Sequence, residues 1–383
     1  MLFMWIICSL PFLGILLAMK RVNIRIGQLP FEYNKAIIII FSFMLICLMS
    51  ANRVGYDALN FNRFWLFISE YNINPFDYTY TTLYSIASFF IRNFPGMTYP
   101  IFHSIVNTLV LILLIYPVVR NYSDCALGVL SIYVISGMFA VDGMQFKNFI
   151  SVGFLLYAFM CYEDEEKSNI KFICFMLLAI AFHFSFVIYF LVPLTSSKNV
   201  REASKSLPIV GGVIYFIFFF DNGFLTKGLL TLVGSGISIL SKLTEYDAMR
   251  SGKYSLVALF LYFMFLFLLE YSYSNNQDIN EKKKRFHEYV LYIWRLMGVA
   301  LPFLCYANAS YRLFRNLYIM IFIVIINSLY RCEWKGKKIF KLLVIISIFI
   351  VFFYVFMLRQ QDDVYKPVVE GFYFWEQENA LNW

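Results

Sequence analysis

Eleven residues, Arg53-Val54-Gly55-Tyr56-Asp57-Ala58-Leu59-Asn60-Phe61-Asn62-Arg63, gather two arginines, an aspartate and two asparagines in a chain that is only 15% charged. Guanidinium groups grip anionic oxygens, and a carboxylate among them either takes up a proton or orients an arginine. Gly55 permits a sharp turn two residues before Asp57. Related chemistry recurs further on. In Asp142-Gly143-Met144-Gln145-Phe146-Lys147-Asn148, Lys147 falls at a predicted helix start, where a cation opposes the helix dipole. An anionic ligand, or Asp142 as partner, would account for it. Within Asn308 to Tyr318, Arg312 and Arg315 are three apart and share a helix face. Two guanidiniums so close make sense with a phosphate between them, and lipid-headgroup anchoring is the rival reading. His103 and Asn107 are one helical turn apart, and His183 and Ser185 lie inside an apolar run. A buried hydrogen bond is the ordinary explanation for both pairs.

Other chemistries leave no trace. There is no P-loop, no HExxH, no GxSxG and no paired-carboxylate motif for a divalent metal. The seven cysteines form no CxxC and read as small buried hydrophobes. No metal and no cofactor is expected. The net charge of +8 does not indicate nucleic acid, because the basic residues lie in short loops between apolar runs.

The elements that must position these groups are membrane helices. Hydrophobic residues make up 61% of the 383 residues, and mean hydropathy is +0.68. A bilayer core takes about 20 apolar residues of helix. The expected fold is an all-α polytopic membrane protein, residues 1–383 forming one integral membrane domain of about 12 transmembrane helices (range 10–13). The spans are about 2–19, 35–51, 98–119, 125–141, 146–162, 170–194, 207–220, 225–241, 254–271, 288–307, 311–330 and 341–358. The first lacks a basic n-region and reads as a retained helix. The seventh and eighth, interrupted by glycines and Asp221, are half-helices or a re-entrant pair if they do not both cross.

Basic loops after the first and fifth spans and before the tenth and twelfth fall on one face, which should be cytoplasmic. Residues 272–287 are then a cytoplasmic loop, and residues 52–97 an extracytoplasmic one. Within the latter, the spacing of Leu83, Tyr84, Ala87, Phe90, Ile91 and Phe94 predicts an amphipathic helix at the outer interface, a full span being the rival.

Four segments in this order resemble the EpsG-like, Wzy-type polymerases of bacterial surface polysaccharides. Arg53-Val54-Gly55-Tyr56-Asp57 with Phe61 is similar to the family's R-x-G-x-D-x-x-x-Y segment, with phenylalanine for its tyrosine. Phe146 to Ser151 is similar to its arginine-glutamine-x-x-alanine helix start, with Lys147, Asn148 and Ser151 at those three positions. His183-Phe184-Ser185 resembles its H-x-S segment, and Arg312 to Tyr318 its arginine-to-tyrosine helix.

The resemblance implies a metal-independent membrane glycosyltransferase of the bacterial inner (cytoplasmic) membrane, its site facing outward. Donor and acceptor would be oligosaccharide repeat units on undecaprenyl diphosphate. Membrane lipid and a chain-length regulator are the further partners it allows, with no nucleic acid. A sugar hydroxyl of one unit attacks the anomeric carbon of the growing chain, and undecaprenyl diphosphate leaves. In that reaction Arg53, Arg63, Lys147, Arg312 and Arg315 would bind diphosphate. Asp57 or Asp142 would act as catalytic base, and Tyr56, His103, His183 and Tyr318 would position substrate. A lipid-linked oligosaccharide flippase is the alternative, although transporter sites favour the midplane. A membrane O-acyltransferase built on His183 is another, and would leave the outer arginines without a role.

Overall fold

The computed structural model describes residues 56–71, 82–136, 138, 141–142, 145–163, 168–220, 252–275, 280–305, 311–330 and 336–352. The described residues are helical, with no strand among them. Arg53, Gly55, Asn308 to Ser310 and the first, second and eighth predicted spans lie outside them. The chain divides into two compact units, residues 1–187 with 329–332 and 351–383, and residues 188–328 with 333–350.

In the first unit, α1 (Tyr56–Tyr71) occupies a stretch expected to be loop, and α2 (Thr82–Asn93) lies where the amphipathic helix was expected. At 1.5 Å per residue, twelve-residue α2 is too short to cross a bilayer. It buries Ala87 and packs Phe90 on Phe102 at 5.4 Å, both on the expected apolar face, while Phe94 of that face is exposed. α3 (Tyr99–Leu109) starts with proline in its first turn and passes through a π-helical turn, Val110–Ile115, into α4 (Tyr116–Tyr122). Pro117 has no amide hydrogen to continue the α-helical ladder, which gives the π turn a local cause.

After α5 (Ala126–Ile135) come α6 (Phe146–Glu163) and α7 (Asn169–Phe182). These two pack antiparallel. Tyr162 meets Phe172 at 5.2 Å and Tyr157 meets Phe175 at 4.8 Å between ring centres, while Phe154 meets Phe182 at 5.8 Å. The beginning of α6 is therefore level with the end of α7. Gly153 of α6 lies against Val110 and Leu114, where a methyl group would come within 2.9 Å of the valine.

The predicted sixth span is two helices. α7 stops at Phe182, His183 is extended (φ −150°, ψ 108°), and a 3₁₀ helix runs from Phe184 to Ser196. The division between the units falls within that 3₁₀ helix. The second unit continues with α8 (Lys198–Ser204), α9 (Leu207–Phe220), α10 (Gly252–Asn275), and α11 (Glu281–Leu296) leading into a 3₁₀ segment, Met297–Cys305. A five-residue helix, α12 (Tyr311–Arg315), precedes α13 (Tyr318–Tyr330) and α14 (Lys337–Phe352).

Directions within this unit follow from its contacts. Tyr262 of α10 donates to the Trp294 carbonyl at 2.9 Å, and Tyr273 donates to Glu288 at 2.8 Å, so α10 and α11 are antiparallel. α9 follows the other sense. Gly298 sits against Leu207 and Pro208, Gly211 against Gly298 and Leu301, and the Cys305 thiol donates to the Tyr215 carbonyl at 3.4 Å. Hence α9 runs parallel to α11 and its 3₁₀ extension. Strict alternation of the twelve predicted spans makes the seventh and tenth opposite, and here they are not.

Arg295 donates to Glu270 at 2.7 Å, while Tyr273 donates to Glu288. A buried arginine in an apolar bundle needs such a counter-charge. Of the four described cysteines none is in a disulfide. Cys305 alone of them is buried, and Cys174 is exposed on the outside of α7.

Three helices are long and apolar enough to cross a bilayer: Ile101–Tyr122, Ser255–Ser274 and Glu281–Cys305. The pair α8 and α9, bent by 43°, adds a fourth if it is one span. Four shorter apolar helices accompany them. The chain is a multi-pass membrane protein, with fewer clear crossings among the described residues than the twelve counted from hydropathy. Breaks at His183 and at Asn316–Leu317 shorten the apolar helices that hydropathy reads as continuous.

Candidate functional site

The first unit gathers predicted residues where α1, α3 and α6 meet. Phe146, fully buried, is the hub. Its ring lies 6.2 Å from Phe61 of α1, 5.9 Å from Phe102 and 4.4 Å from the imidazole of His103. Tyr99 stacks on His103 at 5.5 Å, nearly parallel. Trp65 closes the cluster against Phe102 at 5.0 Å. Position 61, where the family's tyrosine is phenylalanine here, is thus the side chain that joins α1 to α6.

Lys147 follows Phe146 directly, and its ammonium sits 5.3 Å above the Phe61 ring. That cation–π contact offsets part of the cost of a cation in the first turn of a helix, by about 0.5–1 kcal/mol at a partly exposed site. The lysine is half-buried, so its charge stays within reach of a ligand.

His183 stands at a helix break. As the residue that ends α7, it is level with the first turns of α6, which carry Lys147 and Asn148. Ser151 makes the link: its hydroxyl donates to the carbonyls of Ala179 (2.9 Å) and Lys147 (3.0 Å). The same Ala179 carbonyl accepts from the His183 amide at 3.0 Å. The imidazole Nδ1 then lies 2.7 Å from the Ser185 hydroxyl. His183 and Ser185 are both half-buried.

Asp142 is 5% exposed, and its carboxylate accepts a hydrogen bond from Tyr133 at 2.7 Å. Asn107 is fully buried, and neither end of its side-chain amide has a hydrogen-bond partner among the described residues. Tyr56 and Asp57 form the start of α1, and their side chains lie outside the described residues. An acidic residue in the first turn suits the helix dipole. Arg63, two turns on, is exposed.

The second unit holds the remaining predicted residues around α12. Arg315 is 6% exposed and Asn316 1%, whereas Arg312 is half-buried. The two arginines therefore differ in access, although they are three apart. Tyr318 is buried and its hydroxyl lies 2.8 Å from that of Tyr311. Phe314 packs against Tyr262 at 5.3 Å and Trp294 at 5.9 Å. α12 thus lies against the middle of α10 and the end of α11, inside the bundle.

Tyr133, Ser151, Tyr189, Tyr311 and Asn316 were assigned no role by sequence reasoning. Ser151 had one signal, a hydroxyl where the family has alanine. The tyrosines had none, being five among 28 with Tyr56 and Tyr318 counted. No group of three His, Cys, Asp or Glu side chains suited to a metal occurs among the described residues.

No curated protein and no solved structure matches the chain. The model of the EpsG family matches residues 36–368. That range contains all four resembling segments and both polar clusters. The chain therefore belongs to the EpsG family, the family of Wzy-like polysaccharide polymerases.

Proposed function

We propose that the protein polymerises undecaprenyl-diphosphate-linked oligosaccharide repeat units at the outer face of the bacterial cytoplasmic membrane. The observation that carries the reading is the kind of polar group found in this apolar bundle. Cations are held by aromatic rings and by helix breaks, as Lys147 is by Phe61 and as Arg312 and Arg315 are on α12. Such cations suit a diphosphate. With membership of a polysaccharide polymerase family, they support lipid-linked sugars as substrates.

The reaction needs no nucleotide. The oxygen of a sugar hydroxyl on the incoming unit forms a bond to the anomeric carbon of the growing chain. The bond from that carbon to the diphosphate oxygen breaks, and undecaprenyl diphosphate leaves with the electron pair. A half-buried cation, Lys147 in the first unit or Arg312 in the second, receives its developing negative charge. Arg53 and Arg63, which flank Asp57 in the sequence, are proposed as further diphosphate-binding cations.

The hydroxyl proton passes to Asp57. Asp142 is the weaker candidate, because its carboxylate is buried and bonded to Tyr133. His183, bonded to Ser185, orients sugar hydroxyls, as do His103, Tyr56 and Tyr318 near their clusters. A leaving diphosphate carries its own charge stabilisation once bound to cations, so the reaction is proposed to run without a divalent metal.

Gene deletion tests the reading. Cells lacking the protein should accumulate single repeat units on the outer face and lose long polysaccharide on gels. Failure of single units to reach the outer face would make it a flippase instead.

A further inference from the structure

We propose that Tyr189 is the positioning residue of the arginine helix α12. This rests on the reading that Arg312 and Arg315 bind a lipid diphosphate. Between α12 and α13 the helical ladder is broken at Asn316–Leu317. The Leu317 amide, which in a continuous helix would donate to Leu313, donates instead to Phe314 at 3.1 Å. The Leu313 carbonyl so released accepts from the hydroxyl of Tyr189. A phenol from a segment 124 residues away thus replaces the lost backbone donor.

The placement of Tyr189 suits that task. It is 1% exposed, and Arg315 and Asn316 are its polar neighbours. A backbone carbonyl released inside an apolar bundle is costly unless it is bonded. With Tyr189 in place the break persists, and α12 ends at Arg315 instead of running on into α13. The break sets the direction in which both guanidiniums point. The hydroxyl touches no substrate and acts only through the arginines.

The test is a coupling measurement on the full chain in lipid nanodiscs, with geranylgeranyl diphosphate as probe. Tyr189→Phe removes only the hydroxyl. It should raise the Kd for the probe about fivefold to tenfold, the worth of one well-placed hydrogen bond. In a background carrying Arg312→Ala and Arg315→Ala, adding Tyr189→Phe should change Kd by less than about twofold, because the path of its effect is gone.

Equal weakening by Tyr189→Phe in both backgrounds would overturn the proposal, since a general loosening needs no arginine. So would an unchanged Kd for Tyr189→Phe while the arginine substitutions weaken binding; the diphosphate reading would then stand. Unchanged binding in the arginine variant would instead sink the diphosphate reading itself, and the role of Tyr189 with it. If Tyr189→Phe does not accumulate in membranes, Asn316→Leu disturbs the same break and is read in the same cycle.

Discussion

Lys147 stands in the first turn of α6 with its ammonium above Phe61, a place where nothing in the helix itself favours a cation. Its value lies in what it can hold, as does that of half-buried Arg312. Arg312→Ala should lower the turnover of lipid-linked repeat units about 100-fold, a typical loss for one donor to a developing anion. Arg312→Lys should recover only part of this, because an ammonium lacks the planar fork that meets phosphate oxygens in pairs. Both are read as polymer formed per minute by purified protein. Ser151 works at one remove. Ser151→Ala removes the hydroxyl that ties the end of α7 to α6 and should cost about 1 kcal/mol of stability. Its thermal midpoint in detergent would fall slightly, with a larger loss of activity as His183 loosens. The cations and His183 were legible in the sequence, since charge is rare in an apolar chain. Tyr133, bonded to Asp142, Ser151, bonded to Ala179, and Tyr189, bonded to Leu313, were not, because a bond made outside a residue's own helix leaves no local mark.

Glycine contacts set the packing of the second unit. A methyl group on Gly298 would sit 2.7 Å from the backbone of Leu207 and Pro208, and one on Gly211 would run into the Gly298 carbonyl oxygen. Backbone cannot yield as a side chain can, so Gly298→Ala or Gly211→Ala should destabilise the unit by about 1–3 kcal/mol. Thermal unfolding of the solubilised protein would show it. These contacts also hold α9 parallel to α11. Hydropathy could not reveal that, because an apolar run carries no record of its direction. For the same reason the run 170–194 read as one span. Its break at His183 is made by an extended residue and a bond to Ser185, flanked by phenylalanines that suit either helix. α1 was missed for a different cause: Tyr56 to Tyr71 is polar enough to read as loop, and it is packed by Phe61 and Trp65.

At the scale of the molecule, membrane class and family were both legible, the first from about 20-residue apolar runs and the second from four short segments in order. The alternation of crossings was not. Parallel packing points the starts of α9 and α11 the same way, with Leu207 beside Gly298 and Arg201 over the Tyr292 ring. Lys198, Arg201 and Lys205 then join Lys282 to Arg285 on one side, as the positive-inside rule favours. Single cysteines at Ser197 and Asn280, in a chain with its native cysteines replaced, should label from the same side of intact cells' membranes. Labelling from opposite sides would restore simple alternation.

Reconstitution tests the central claim most directly. Purified protein in liposomes, given undecaprenyl-diphosphate-linked repeat units and a metal chelator, should yield a ladder of polymers and one released undecaprenyl diphosphate per linkage formed. Repeat units that stay single, or that only change leaflet, would contradict it.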